Sequence, residues 1–201
     1  MSQPRAATVL LALHYQNEVA HADGRIRIGI AEGSPERQAV LAAAKRLFDG
    51  ARAAHVPVVS VRIAFSANHA EVAQNAEIWR RVVASGALVD GSWGAEFYPG
   101  LGPLPGETVV THRRNDAFHG SPLADVLALH RAERLVIAGI STTYVVESTV
   151  RSASDRGYAV TVAADACSSG SPALHEASLK AMALLAEISE VDRILASFAR
   201  R

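Results

Sequence analysis

A chain of 201 residues can bury one substantial hydrophobic core and is short for two, so one domain spanning residues 1–201 is expected. Hydrophobic residues make up 49% of it and aromatic residues only 5%, so the core must be built from Ala, Val, Leu and Ile, the composition of an α/β protein. Twenty Lys plus Arg balance twenty Asp plus Glu, which leaves no net field to draw the chain to nucleic acid or to an anionic membrane surface and makes a small-molecule partner the expectation. The apolar run that follows Met1–Arg5 is too short for a signal segment or a membrane span and is broken by His14. The single cysteine, Cys167, excludes an internal disulfide framework and fits a reducing compartment, so a soluble cytoplasmic protein is expected.

Thr8–Leu13 (TVLLAL) is a continuous apolar run, the pattern of a strand buried on both faces. Ser34-Pro35-Glu36 supplies an N-cap, a proline at the first helical position and an early acid for a helix to about Ala54. Pro57 precedes a second strand, Val58–Arg62. Asn68–Val83 has helical periodicity through Val72, Ala76, Trp79 and Val83, whereas Gly86–Gly106 is rich in Gly and Pro and reads as a substrate-contacting loop. Glu107–Thr111 is a third strand, and Ser121-Pro122 opens a helix over Leu123–His130. Leu135–Ala138 leads through Gly139 into a helix over Thr142–Arg156, closed by Gly157 at a left-handed cap position. Tyr158–Ala163, a Ser171-Pro172 helix start, a short Glu187–Ser189 strand and an Asp192–Phe198 helix complete the pattern.

Strands alternating with helices at this spacing imply a three-layer α/β/α Rossmann-like fold with a mostly parallel sheet of about six strands. Ligands of such sheets sit beyond the carboxyl ends of the strands. The candidate segments are therefore His14–Asn17, Arg62–Phe65, His112–His119, Gly139–Val145 and Asp165–Ser169. No paired HxH or HxxxH spacing supports a metal among His14, His112 and His119, so neither metal nor cofactor is expected. There is no Gly-x-Ser-x-Gly elbow for a serine nucleophile. Cys167 is read as packing, since lone cysteines are more often inert.

Three of these strand ends carry a resemblance. Leu11-Ala12-Leu13-His14-Tyr15-Gln16-Asn17-Glu18 resembles the Val-Ile-Asp-Met-Gln-Asn-Asp of the isochorismatase-like hydrolase superfamily, with His14 in the place of its catalytic aspartate. Val110-Thr111-His112 through Ala117-Phe118-His119-Gly120-Ser121-Pro122-Leu123 is similar to the family's Thr-Lys-x-x-x-Ser-Ala-Phe-x-Gly-Thr-x-Leu, with His112 at the lysine. Gly139-Ile140-Ser141-Thr142-Thr143-Tyr144-Val145-Val146 matches Gly-Val-Ala-Thr-x-x-Cys-Val, with Val145 at the nucleophilic cysteine. The resemblance spans about residues 8 to 190 and implies an oligomer, an anion site on the main-chain N–H groups of Ser141 and Val145, and a cis peptide at Ile140-Ser141. The metal motif of nicotinamidase-type members, an Asp-x-His after the second strand, is absent, since Val61-Arg62-Ile63-Ala64-Phe65 stands there.

Val145 cannot act as a nucleophile, so thiol chemistry at that position is excluded by residue type. His14 and His112 can replace the aspartate and lysine as a proton-transfer pair, because an imidazole titrates near pH 6.5. Two such rings facing one cavity are expected to split their titrations, with one protonated and one neutral at about pH 6 to 7. Tyr15, Gln16, Asn17, Arg62, Phe65, Trp93, Phe118, His119 and Tyr144 are the candidate substrate contacts, and the aromatic ones serve equally as core or subunit interface. The leading expectation is a small-molecule enzyme, in specialised metabolism, that hydrolyses a C–N, C–O or vinyl-ether bond without a covalent intermediate. A lyase or isomerase fits the same residues, and a catalytically silent binding or scaffold protein is the alternative from another class. Geometry separates them: His14 and His112 meeting in one pocket with the Ser141 and Val145 amides favours catalysis.

Overall fold

A computed structural model describes residues 7–27, 29–30 and 35–199. Six strands, β1 (Ala7–Leu13), β2 (Val58–Ile63), β3 (Thr108–His112), β4 (Ala132–Gly139), β5 (Ala159–Ala163) and β6 (Glu187–Ser189), form one sheet in the order β3-β2-β1-β4-β5-β6. Every pairing is parallel. The apolar run of β1 lies at the centre because both its faces are covered, and Val9, Leu10, Leu11 and Leu13 are fully buried. Truncating any of these leucines to Ala should cost about 2–5 kcal/mol.

The helices are α1 (Asn17–Ala20), α2 (Arg37–Ala53), α3 (Glu77–Ser85), α4 (Leu123–Leu129), α5 (Glu147–Asp155), α6 (Pro172–Met182) and α7 (Val191–Ala199). Right-handed crossovers put α2, which packs on α7, on one face of the sheet and α4, α5 and α6 on the other. The Ser171-Pro172 start holds as read: Ser171 Oγ accepts from Leu174 N with Pro172 in the first turn. Gly157 adopts the left-handed conformation (φ 84°) just after α5. Ser34, the cap expected for α2, lies outside the described residues, as do Met1–Arg5.

Two elements depart from the sequence reading. Helix α3 begins at Glu77, not at Asn68, because His69 takes a left-handed backbone (φ 50°) and 68–76 forms turns. Val72 and Trp79 still pack together, with Phe65 and Leu88, in a second apolar cluster at the end of β2. The helix expected from Thr142 opens instead as a π-helical turn over Thr142–Val146 before α5 begins. No helix among the described residues is long and apolar enough to cross a membrane.

The strand order reverses between β1 and β4, and this is where a crevice opens at the carboxyl edge of a doubly wound sheet. Gly139 permits the close approach there, since a Cβ on it would lie 2.6 Å from both Cβ and O of Leu13. His14 follows β1 on one side of the crevice, and Ile140-Ser141 follows β4 on the other.

Candidate active site

His14 sits one residue beyond β1 in a left-handed conformation (φ 56°), its N–H donating to Val61 O at 2.9 Å. Such a conformation costs a non-glycine residue roughly 1–2 kcal/mol. Here it turns the ring sideways over the end of β2, toward the strand beyond. His112, the last residue of β3 and paired in register with Ile63, meets it: the two Nε2 atoms are 2.5 Å apart. Both rings are buried, at 7% and 0% exposure.

The partner of His112 at its other nitrogen decides the tautomers. Nδ1 lies 3.1 Å from the carbonyl oxygen of Asp116, which can only accept, so Nδ1 carries a proton. In the neutral ring Nε2 is then a lone pair, and His14 must donate from its own Nε2–H. The free lone pair of the couple falls on His14 Nδ1, which has no hydrogen bond to the described residues. Burial, and then His112, push the His14 imidazole well below its usual range. Burial outweighs the favourable Asp116 carbonyl and lowers His112 to about 4. Both shifts favour the neutral rings at pH 7, against the expectation of one charged and one neutral imidazole. Desolvation acts on both rings and dominates the coupling between them.

Asp116 holds its carbonyl in place through its carboxylate, which accepts from Phe118 N at 2.9 Å and from Ser152 Oγ on α5 at 2.8 Å. Ala117 N donates to Thr149 Oγ1 on the same helix.

Across the crevice the Ile140–Ser141 peptide is cis, as the resemblance implies. The turn that follows is tied down by Thr142 N to Ser168 O (2.8 Å), Thr143 N to Ser169 Oγ (3.2 Å) and Val146 N to Ser141 O (3.2 Å). Thr142 Oγ1 pairs with His175 Nδ1 at 2.8 Å, and Ser178 Oγ donates to Glu147 Oε2 at 2.5 Å. None of these bonds uses the N–H of Ser141 or of Val145.

Between the two sides lies a small pocket, open at its mouth, with an interior cavity of about 40 Å³. One wall is Val19, Ile26 and Ile63, continued by Ile78, Trp79 and Val82 of α3 and by Leu88. The other is Ile140, Ser141, Tyr144 and Val145; His14 and Asn115 complete the lining, and His112 stands behind His14. Glu18 assembles the first wall. Its buried carboxylate accepts from Arg25 N, Nε and Nη2 at 2.8 Å and from Leu88 N at 3.4 Å, which sets the neighbouring Ile26 and Leu88. Burial pushes the Glu18 carboxyl up, and the hydrogen bonds from Arg25 and Leu88 together bring it below its ordinary range.

Of the candidate contacts, Tyr144 lines this pocket and the others lie elsewhere. Tyr15 turns to the opposite face, packing edge-on against Phe48 and donating to Ala166 O. Gln16 is fully buried and braces the backbone, donating to Ile63 O and Ala95 O and accepting from Ile63 N. Asn17 donates to Trp93 O, and Trp93 stands half exposed against His21. Arg62 pairs with Asp90 at 2.9 Å. Phe65 belongs to the second apolar cluster, and Phe118 stacks on Tyr158 under Arg156. His119 is exposed. The wall residues Ile26, Ile78, Trp79, Val82 and Leu88 escaped the sequence reading because an apolar pocket residue has the same signature as a core residue, whereas Ile63, Asn115 and Ile140 fell within the strand-end segments.

No group of three or more His, Cys, Asp or Glu among the described residues is placed to hold a metal ion. Cys167 is buried, and that burial pushes its thiol up to about 12, so it is an unreactive packing residue. Asp165 caps α7 instead, accepting from Val191 N.

Comparison with known proteins identifies the family and the fold. Residues 8–193 match the Isochorismatase domain model. A ureidoacrylate amidohydrolase RutB of Methylobacterium radiotolerans is 30% identical over 190 residues, covering 87% of this chain and 72% of that protein. The RutB protein of a Methylorubrum extorquens strain is 37% identical over 94 residues, which span 46% of this chain and 38% of that protein's length. Among solved structures, a cysteine hydrolase from Pseudomonas syringae pv. phaseolicola 1448A shares the fold with a TM-score of 0.86 at 19% identity, over 100% of this chain and 99% of its own. The chain belongs to the isochorismatase-like hydrolase family, as a member with valine at the cysteine position and a histidine pair at the aspartate and lysine positions.

Proposed function

We propose that this protein hydrolyses an amide, ester or related C–N or C–O bond by direct addition of water, with His14 as general base, His112 as its proton relay and the Ser141 and Val145 amides as the anion site. The observation that carries the reading is that His14, Ser141 and Val145 share one pocket while His14 backs onto His112. In the reaction a water held at His14 Nδ1 loses a proton to that nitrogen as its oxygen bonds to the carbonyl carbon. The carbonyl π electrons move onto oxygen, where two main-chain donors offset the charge. His14 Nε2–H is aimed at the His112 lone pair, so the positive charge spreads over two rings, and the Asp116 carbonyl stabilises the distal N–H. His14 returns the proton to the leaving nitrogen or oxygen as the C–N or C–O bond breaks. Proton transfer of this kind is worth about 10²–10⁴ in rate.

Val145 carries no nucleophile, so the attacking group in this reading is water. The amidohydrolase names of the relatives favour a C–N bond as the first substrate to try. The test is turnover of amide, ester and vinyl-ether panels by the wild type, His14→Ala and His112→Ala. Loss in both variants with the fold kept supports the pair. Equal turnover in all three contradicts it, and a wild type inert toward every panel leaves a binding protein on this fold.

A further inference from the structure

The pocket's polarity is one-sided. Nine of its side chains are aliphatic or indole, and its polar groups are those of His14, Ser141 and Asn115, with the half-exposed Tyr144 alongside. No Lys, Arg, Asp or Glu among the described residues lines it. The cations around it are engaged: Arg25 with Glu18, Arg62 with Asp90, and Arg114, which lies 5.0 Å over the Trp79 ring, with Ala73 O and Asn75 Oδ1. One polar group in the lining is itself unsatisfied. Ser141 is 2% exposed, and its Oγ has no hydrogen-bond partner among the described residues.

A buried hydroxyl without a partner is costly unless something bound supplies one. A carboxylate brought into such a pocket would exchange its hydration for at most the two main-chain N–H donors of Ser141 and Val145, with no cationic side chain among the described residues lining the pocket. We propose that the pocket takes an uncharged, largely apolar molecule whose one polar end, a carbonyl or amide, hydrogen-bonds Ser141 Oγ beside His14, and that it selects against substrates bearing a carboxylate. The inference rests on the proposed site and names its substrate class. It also assigns Ser141 two separate parts: the backbone N–H faces developing charge, and the hydroxyl reads the ground-state ligand. Burial keeps both imidazoles neutral, so neither supplies the missing positive charge at pH 7.

Matched probes test it. Phenylacetamide against phenylacetate, and isovaleramide against isovalerate, are titrated at pH 7.5 by saturation-transfer NMR or calorimetry. The amide of each pair should bind at least tenfold more tightly. Ser141→Ala should weaken the amide several-fold without changing the circular dichroism spectrum, and Ile78→Lys, a half-buried position at the wall, should reverse the preference. Carboxylates that bind as tightly as their amides, or amides that do not bind, overturn the proposal. Repeating the titration with His14→Gln separates the two readings: a preserved amide preference with no effect on turnover would sink the proton-transfer reading and leave this one standing.

Discussion

The two banks of the crevice are built in opposite ways. After β4, the turn proposed as the anion site is main chain held by main chain and by polar side chains: Ser168, Ser169, His175 and Ser178 fix Thr142 and Thr143. After β1 and β3, the proposed proton-transfer side is two imidazoles held by each other and by one carbonyl, that of Asp116. A site made of backbone donors tolerates replacement of nearby side chains, including the nucleophile, because its chemistry lies in N–H groups that every residue but proline provides. A site made of side chains changes its chemistry with each replacement. On the proposed reading, a scaffold can therefore lack the thiol, keep its anion site and take its base from histidine.

The contrast predicts where substitutions act. The largest effect is expected for His14→Ala, a fall of about 10²–10⁴ in kcat/KM with substrate binding altered far less. His112→Asn, which leaves His14 in contact with the pocket and removes its relay, should lose about tenfold to a hundredfold, less than His14→Ala; steady-state kinetics of the two variants measures the order. Equal losses would mean the rings act as one unit.

Stability should follow pH through the same pair. The unfolded chain's imidazoles titrate near 6.5, while burial lowers both in the folded state, His112 to about 4. Between those values the unfolded state binds more protons, so stability is full above about pH 6.5 and falls as the pH drops toward 4. His112 alone should contribute a loss of about 3 kcal/mol over that window. Urea unfolding at pH 7.5 and 4.5 reads it, and His112→Asn should flatten the slope. On the other bank, Thr142→Val removes the bond to His175 at constant shape and should cost about 1 kcal/mol, with turnover reduced less than tenfold. The smallest effect is expected at Cys167: Cys167→Ser should leave kcat unchanged, and the native thiol should resist alkylation until the protein unfolds.

Much of the frame was legible from local chemistry. The buried run of β1, the Ser-Pro helix start of α6 and the Gly157 cap are short-range signals, and each formed where its residues said. The pairing of His14 with His112 was legible only through motif alignment, because β2 and 98 positions of sequence separate them. The shape of the pocket was not. Tyr15 follows a left-handed residue and packs against Phe48 of α2, away from the pocket, and Gln16 and Asn17 are consumed by backbone carbonyls of neighbouring segments. Asp116 fell within a candidate segment but was not singled out: what it gives His112 is a carbonyl, and no side-chain pattern marks a carbonyl.

The most direct test of the central claim needs no substrate. Long-range ¹⁵N–¹H correlation spectra of the histidine rings at pH 7 should show both His14 and His112 neutral, with His112 protonated at Nδ1 and His14 at Nε2, leaving His14 Nδ1 as the open base. An imidazolium signal from either ring at that pH, or a His14 ring protonated at Nδ1, would contradict the relay.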